Sequence, residues 1–370
     1  MCGDIKYWIW LSSVPNIGPR RCSQMLECFG GPEAIWNMRE ADLKDARFLS
    51  SYAIENLLNQ KYRSDAERLM NEMHRHRIKA IAVNDPSYPY YLKNIYNPPI
   101  VLYVRGRLKK DQKAVAVVGS RRASSYGMKM AGEIAYELSG LGIAVISGMA
   151  RGIDTMAHRG CLKAGGTTIA VMGCGLDRAY PSENRELMES IASSGAAVSE
   201  YPPGIPPLPQ NFPARNRIIS GISRGVVVIE AGGRSGSLIT ADFALEQGRE
   251  VFAVPGNIDR VNSAGANKLI KDGAKMVTCV EDILEELDIN NMTGKINKAG
   301  TGNFIYNSRF DNLDGDEKEI VRCLEGNALH IDRISLKSGL GIQDVNSLLL
   351  MLELKGIIEQ MPGRIYRLRI

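Results

Sequence analysis

The sequence lacks the patterns that would indicate a metal centre or a disulfide framework. Its seven cysteines are scattered along the chain, none belongs to a Cys-x-x-Cys pair, and the four histidines form no ligand cluster. Zinc sites and small disulfide-bonded domains depend on such spacings. We therefore expect reduced thiols and no metal site, as is typical of a cytoplasmic protein.

Long apolar runs are missing as well. No stretch is long and apolar enough for a membrane-spanning helix, and the first residues lack the charged-then-apolar layout of a signal peptide. A strong excess of one charge is also absent, because the net charge is only +5. That excess falls within residues 1–112, whereas residues 113–287 carry equal numbers of basic and acidic side chains. A nucleic acid, if one binds, must therefore use a local basic patch.

Residues 1–75 have the pattern of a helical domain. Residues 7–11 form an apolar helix face, residues 14–21 break the helix with proline and glycine, and a second helix runs to Phe29. This order, with a basic pair after Gly18, resembles a helix-hairpin-helix unit, in which backbone amides approach a phosphate. A simple helical hairpin has the same order, so the sequence leaves DNA contact by this element open.

Regular alternation of strands and helices begins at Lys113. Upstream of it, residues 81–83 and 100–104 are expected to be short strands on either side of a proline-rich segment. Further strands are predicted at 115–119, 143–147, 168–172, 196–200, 226–230, 250–254 and 275–279, and helices at about 125–139, 154–164, 184–193, 215–222, 237–247, 266–272 and 280–287. Continuous apolar strands are typical of a sheet covered on both faces. We predict an α/β fold with a Rossmann-like, doubly wound parallel sheet.

The C-terminal part has a different pattern. Three expected helices, at 316–324, 331–338 and 343–355, precede a β-hairpin, which is the order of a winged helix. The third helix is apolar and slightly acidic, which favours protein contact or an auxiliary DNA role over sequence-specific reading. The predicted organisation is a helical domain at 1–75, an α/β domain at 76–287, a linker at 288–312 and a winged helix at 313–370.

Small residues and arginines follow several predicted strands. Gly119, Ser120 and Arg121 follow the first strand, and Gly148 and Arg151 follow the second. In an open α/β sheet, ligands bind beyond the carboxyl ends of the strands. A strand–turn–helix unit there presents backbone N–H groups and the positive end of a helix dipole, which suits a phosphate.

Three kinds of phosphate-bearing ligand have to be compared at this edge: a dinucleotide cofactor, a nucleotide substrate and a polynucleotide backbone. A nicotinamide or flavin cofactor requires Gly-x-Gly-x-x-Gly at the first turn and an acidic residue about 20 positions on. The first turn here has neither, and no Walker-type loop occurs, so no cofactor is expected. A nucleotide-processing enzyme is the alternative function, with Glu230 as its carboxylate and Glu200 and Asp154 as the other carboxylates near this edge. Glu200 and Glu230 are also suited to bracing loops, and Asp154 to capping a helix.

The third ligand is a polynucleotide backbone, which we favour. The predicted DNA-binding residues are Gly119, Ser120, Arg121, Arg122, Gly148, Arg151, Phe212, Arg215, Asn216, Arg217, Ser237 and Thr240. The arginines supply charge, and Phe212, on an expected loop, either stacks a base or anchors the loop. Arg217 is also suited to bracing a carboxylate such as Glu230. Single-stranded DNA fits better than duplex because no predicted helix is a basic recognition helix.

Six ordered motifs resemble the DNA-processing protein A (DprA/Smf) family over nearly the whole chain. They occupy residues 117–122, 147–158, 180–184, 211–221, 230–240 and 254–256. The resemblance implies an extended Rossmann domain without catalysis of its own, preceded by a sterile-alpha-motif-like domain. It further implies single-stranded DNA binding through Gly119, Ser120 and Arg121, homodimers, and loading of a RecA-type recombinase during natural transformation.

Overall fold

The computed structural model of the chain describes residues 3–287, 313–324 and 328–368. The chain divides into two compact units, Met1–Lys295 and Ile296–Ile370. The linker predicted at 288–312 lies outside the described residues. In the part of the chain that is described, no helix has both the length and the apolar character needed to cross a membrane.

The first unit begins with a group of helices, which confirms the helical character predicted for residues 1–75. Their bounds are α1 (Gly3–Ser13), α2 (Pro19–Phe29), α3 (Pro32–Trp36), α4 (Glu40–Lys44), α5 (Ser51–Leu58) and α6 (Gln60–Arg75). Trp10 of α1 is fully buried, and its ring meets that of Trp36 edge-on at 5.0 Å between centroids. Helix α2 begins with Pro19, which lacks the N–H that a first-turn residue leaves unpaired in any case.

One sheet runs through the rest of this unit. Within the described residues it has nine strands in the order β1-β2-β6-β5-β4-β3-β7-β8-β9. The strand bounds are β1 (Lys79–Ala82), β2 (Val101–Gly106), β3 (Ala114–Val118), β4 (Ala144–Ser147), β5 (Thr168–Met172), β6 (Ala196–Ser199), β7 (Gly225–Val228), β8 (Glu250–Ala253) and β9 (Lys275–Met276). Strands β3 to β9 pair in parallel, as predicted, whereas β1 and β2 extend the same sheet antiparallel beside β6.

Helices cover both faces of this sheet. Their bounds are α7 (Tyr90–Lys93), α8 (Ser125–Gly140), α9 (Ile153–Lys163), α10 (Arg185–Ser194), α11 (Asn211–Ile222), α12 (Gly236–Glu246), α13 (Ala264–Lys271) and α14 (Glu281–Glu286). Val115 and Val117 belong to the core on the α8 and α9 side, while Ala116 and Val118 belong to the core on the α11 and α12 side. Burial on both faces explains why β3 is apolar throughout, and the predicted doubly wound α/β fold is confirmed.

Two predicted bounds were wrong, and the first of them matters for the site. Helix α11 begins at Asn211 instead of near residue 215, so Phe212 lies in its first turn and not on a loop. Pro213 is tolerated there because a first-turn residue needs no intrahelical N–H bond. Strand β9 has only two residues of the five expected.

The second unit is a small helical module with a wing. It contains α15 (Gly315–Cys323), β10 (Leu329–His330), α16 (Ile331–Ser338), α17 (Ile342–Leu354), β11 (Ile358–Met361) and β12 (Ile365–Leu368). The three strands form a separate sheet in the order β10-β12-β11. Lys355 donates to both oxygens of the Glu317 carboxylate, at 2.6 and 2.8 Å, which ties the end of α17 to α15. The winged-helix order predicted for this part is confirmed.

Candidate nucleic-acid interface

The turn after β3 is held in one conformation by backbone hydrogen bonds. Ser120 N donates to Glu230 O at 2.8 Å, and Ile153 N donates to Ser120 O at 3.3 Å. A side chain on Gly119 would lie 2.7 Å from a side-chain carbon of Ile153, so only glycine fits there. With its backbone fixed, the turn presents Arg121 to solvent.

A cavity of about 620 Å³ opens in front of this turn, at the carboxyl edge of the sheet. Nine of the twelve predicted DNA-binding residues line it: Gly119, Ser120, Arg121, Arg122, Phe212, Arg215, Asn216, Ser237 and Thr240. Arg234, on the Gly-rich segment after β7, lines it as well. Exposed arginines from two different loops therefore share one concave surface.

Arg121 lies over an aromatic ring in this cavity. Its guanidinium carbon is 5.6 Å from the centroid of Phe212, which is within the range of a cation–π contact. The Phe212 ring in turn lies 5.3 Å from that of Tyr180, tilted by 37°. Phe212 also packs against Gly173, where a side chain would lie 3.0 Å from the ring. Phe212 thus anchors the start of α11 and at the same time presents a stacking surface beside Arg121.

The N-terminus of α12 faces the same cavity. Ser235 caps this helix, since its hydroxyl accepts from Ser237 N at 3.4 Å, and Asn216 Nδ2 donates to Gly236 O at 3.1 Å. No described residue lies within 4 Å of a side chain built on Gly236, so this glycine faces open space among the described residues. Ser237 and Thr240 are buried, so their hydroxyl groups are poorly accessible to a ligand. The N-terminus of α12 and its dipole are therefore the main phosphate-binding feature here.

Arg215 is buried beneath the cavity floor. It is only 3% exposed, and Nη1 donates to Val171 O. Its guanidinium fills the space that a side chain on Gly148 would need, and it lies beside Asp154. Burial lowers the pKa of Arg215 to about 10. Burial also raises the pKa of Asp154, and the positive charge of Arg215 opposes that rise. Asp154 accepts from Ala150 N at 3.2 Å, so the pair braces the turn that follows β4.

Two other predicted DNA-binding arginines are engaged by carboxylates. Arg217 pairs with Glu200 and also donates to Asn97 O at 3.1 Å, with a side chain only 11% exposed. Its partner is therefore Glu200, and the bracing contact with Glu230 considered from the sequence was wrong. Arg151 forms a two-point ion pair with Glu183, at 2.5 and 2.7 Å, on the surface. The hydrogen bond from Arg151 holds the pKa of the Glu183 carboxyl below its ordinary value.

Glu230 serves the start of helix α8. It is 4% exposed, accepts from Ser124 N at 2.9 Å and from the Ser124 hydroxyl, and lies against Gly127. Both carboxylate oxygens are thus used to hold the N-terminus of α8. A second cavity, of about 880 Å³, contains Glu230 in its wall together with Tyr126 and Arg260. Among the described residues no group of three His, Cys, Asp or Glu side chains is placed to hold a metal ion.

Tyr180 is an aromatic residue at this site that the sequence did not point to. It lies on the loop after β5, and only the fold brings it against Phe212 from α11. A signal was present, because Tyr180 begins one of the six ordered motifs, but nothing in its spacing indicated a partner ring. Conversely, the burial of Arg215 and Arg217 has no signal in the sequence.

Two sequence families account for most of the chain. The family described as DNA recombination-mediator protein A matches residues 79–288, and the DprA winged helix domain matches residues 310–364. Protein Smf of Synechocystis sp. is 33% identical over 391 residues, which covers 98% of both chains. The DNA processing protein DprA of Bacillus subtilis is 41% identical over 247 residues, covering 66% of this chain and 82% of its own length.

Solved structures lead to the same family. DNA processing protein A from Streptococcus pneumoniae superposes with a TM-score of 0.61 at 37% identity, covering 76% of this chain and 96% of the other. DNA processing protein A from Helicobacter pylori, described for its single-stranded DNA binding mode, superposes with a TM-score of 0.53 at 28% identity, covering 58% and 97%. The match over residues 79–288, together with the full-length likeness to protein Smf, shows that this chain belongs to the DNA recombination-mediator protein A (DprA/Smf) family.

Proposed function

We propose that this chain binds single-stranded DNA along the carboxyl edge of its sheet. In our proposal it protects incoming DNA there and, without a catalytic step, helps to load a RecA-type recombinase during natural transformation and DNA recombination. The observation that carries this proposal is the Arg121–Phe212 pair, which sets a guanidinium over an aromatic ring in a cavity lined by further arginines. A cation and a ring at that spacing suit a phosphate and an adjacent base. The relative from Helicobacter pylori, whose description names single-stranded DNA binding, supports the same ligand.

The predicted contact residues divide into two groups in this proposal. Arg121, Arg122, Phe212 and the N-terminus of α12 contact DNA directly, because they are accessible from the cavity. Arg215 and Arg217 support the surrounding turns and helix from inside, because both are buried and bonded. Gly148 acts by making room for Arg215. Arg151 becomes a phosphate contact only when it leaves Glu183.

Absence of catalysis is part of the proposal, and the alternative is a nucleotide-processing enzyme that uses Glu230. Glu230 does line a cavity, but both of its oxygens accept hydrogen bonds from Ser124. A carboxylate held in this way is poorly placed to act as a nucleophile or base. Turnover of a nucleoside monophosphate that is abolished by Glu230→Gln would establish the enzyme instead.

The partners in this proposal are a second copy of the chain and a recombinase. The proposal of a dimer rests on the resemblance to the family and not on the sheet edge, because the edge strand β9 has only two residues and includes Lys275, and short, charged edge strands discourage pairing. We also propose the four-part division at 1–75, 76–287, 288–312 and 313–370, and a cytoplasmic location. Light scattering of the purified chain tests the dimer, and limited proteolysis tests the division.

Two experiments test the function. Fluorescence anisotropy compares a single-stranded with a double-stranded oligonucleotide, and we expect tighter binding of the single strand. Adding the cognate RecA-type recombinase to DNA already coated by single-strand-binding protein should give recombinase filaments faster when this chain is present. Undetectable binding of single strands overturns the proposal at its base, whereas normal binding without faster loading removes only the recombinase step.

A further inference from the structure

A second group of arginines and aromatic rings lies at the opposite edge of the sheet. Arg224 directly precedes β7 and Arg249 directly precedes β8, so both sit at the amino ends of parallel strands. The candidate DNA cavity lies at the carboxyl ends. The five residues of β3 span roughly 17 Å at about 3.3 Å each, which sets the scale of the separation between the two edges.

Tyr91 of α7 holds these two arginines together. The guanidinium carbon of Arg249 is 4.7 Å from the Tyr91 ring centroid, and that of Arg224 is 5.6 Å from it. Arg249 Nη2 also donates to Tyr91 O at 3.1 Å. The ring of Tyr90 meets Tyr91 edge-on at 5.6 Å and is itself 55% exposed. We call Tyr90, Tyr91, Arg224 and Arg249 the amino-edge surface.

The positive charge of this surface is not neutralised by the neighbouring carboxylate. Successive residues of a strand face opposite sides, so Arg249 faces the same side as Val251, while Glu250 faces the side of Phe252. Val251 and Phe252 indeed belong to different cores. In the described parts of the chain neither Arg224 nor Arg249 forms an ion pair, unlike Arg151 and Arg217.

Hydrogen-bonding capacity also remains unused. Among the described residues, the buried Nε atoms of Arg224 and Arg249 have no hydrogen-bond partner, and neither has Oε1 of Gln247, which is close in sequence to Arg249. Exposed lysines add charge beside the rings, since Tyr90 N donates to Lys110 O at 3.2 Å and Lys93 ends α7. The surface thus combines lysines, an accessible ring and two guanidinium groups that have no ion-pair partner among the described residues.

That combination fits one kind of ligand best. An acidic peptide would use the charges but would leave the exposed Tyr90 ring without a matched partner. A single-stranded nucleic acid uses both, because phosphates pair with arginine and lysine while bases stack on aromatic and guanidinium planes. We propose that the amino-edge surface is a second contact site for single-stranded nucleic acid. This inference rests on the proposed function and adds to it a second path for the strand, on the other side of the sheet.

Photocrosslinking with a single strand that carries 5-bromouracil separates the two sites in the full chain. We expect crosslinked peptides containing Phe212, from the carboxyl edge, and others containing Tyr90 or Tyr91. Crosslinks at Phe212 alone overturn the second site and leave the proposed function standing. Crosslinks at neither place overturn both, and crosslinks at Tyr90 or Tyr91 alone retain the second site and reject the first.

Paired variants give the second readout. Tyr90→Ser should remove the amino-edge crosslink and weaken binding of long single strands roughly fivefold or more, as expected for the loss of one stacked base. Tyr52→Ser removes a tyrosine of similar exposure from α5 and should change nothing. Arg224→Gln should reduce the slope of log affinity against log salt by about 0.7 if one phosphate contact is lost. Unchanged affinity and slope in both amino-edge variants contradict the proposal.

Discussion

The guanidinium carbon of Arg121, on the turn between β3 and α8, lies 5.6 Å from the ring centroid of Phe212, in the first turn of α11. Arg121 is exposed, and within the described residues it forms no ion pair that would hold it back. The guanidinium group of Arg121 therefore remains available to a phosphate, while its contact with the Phe212 ring holds it in position. The turn after β3 alone could hold one phosphate, whereas together with Phe212 it forms a surface suited to a phosphate and a base.

Replacing Phe212 by leucine should separate stacking from packing. Leucine still fills the space against Gly173 but offers no aromatic face, so single-strand affinity should fall roughly 5- to 100-fold, as for a stacked base. The melting temperature should change little. Anisotropy and thermal unfolding of the same sample check both expectations. If the melting temperature falls together with the affinity, Phe212 acts only as an anchor.

Freeing Arg151 should strengthen DNA binding. Glu183→Gln removes the carboxylate that now holds Arg151, and exposed pairs of this kind contribute little to stability. We expect an affinity increase of about two- to fivefold at low salt, with a salt slope steeper by about 0.7 for one added phosphate contact.

A matched control for this change is available. Glu189→Gln breaks the pair with Arg105, which joins α10 to β2 and does not line the cavity. Its DNA affinity should stay at the wild-type value. Equal affinities for Glu183→Gln and the wild type would show that Arg151 does not reach the strand.

Arg217→Met should reduce stability and leave the DNA surface in place. It leaves the mostly buried Glu200 carboxylate without its partner, and breaking a buried pair in this way costs up to about 3–5 kcal/mol. Urea unfolding measures this loss, and adding Glu200→Gln to the variant should recover part of it. A stable Arg217→Met protein with lost DNA binding would instead identify Arg217 as a direct contact.

The sequence predicted the architecture better than it predicted side-chain partners. Strand and helix periodicity located β3 to β8 because buried parallel strands such as β7 are continuously apolar. Pairing between distant segments is not written in local patterns, so the antiparallel addition of β1 and β2 was not foreseen. For the same reason, the Arg217–Glu200 pair and the Tyr180–Phe212 contact appear only in the folded chain.

The buried histidine His158 gives the fold a defined pH dependence. Its Nδ1 lies 2.7 Å from Thr168 Oγ1, whose proton goes to Val145 O, and burial lowers the pKa of His158 to about 3. The unfolded chain protonates this histidine near pH 6.5, so the unfolded state gains protons first as the pH falls. The contribution of His158 to the free energy of unfolding is therefore complete above pH 6.5 and should decrease by about 1.4 kcal/mol per pH unit below that pH.

Urea unfolding at several pH values between neutrality and about pH 5 measures this slope. His158→Gln should make the slope shallower by the contribution of one proton, whatever the variant does to stability at neutral pH. His74→Gln, which changes an exposed histidine on α6, should leave it as in the wild type. An unchanged slope in His158→Gln would show that His158 is not kept neutral by burial.

The central claim, that Arg121 binds the phosphate backbone of single-stranded DNA, is tested most directly by the salt dependence of affinity. Anisotropy titrations of a single-stranded oligonucleotide at several salt concentrations should give a steep decrease for the wild type. Arg121→Ala should weaken binding about tenfold or more and reduce the slope by about 0.7, whereas Arg159→Ala, which removes an exposed arginine of α9, should match the wild type. Binding that is insensitive to salt, or an Arg121→Ala protein indistinguishable from the wild type, would contradict the claim.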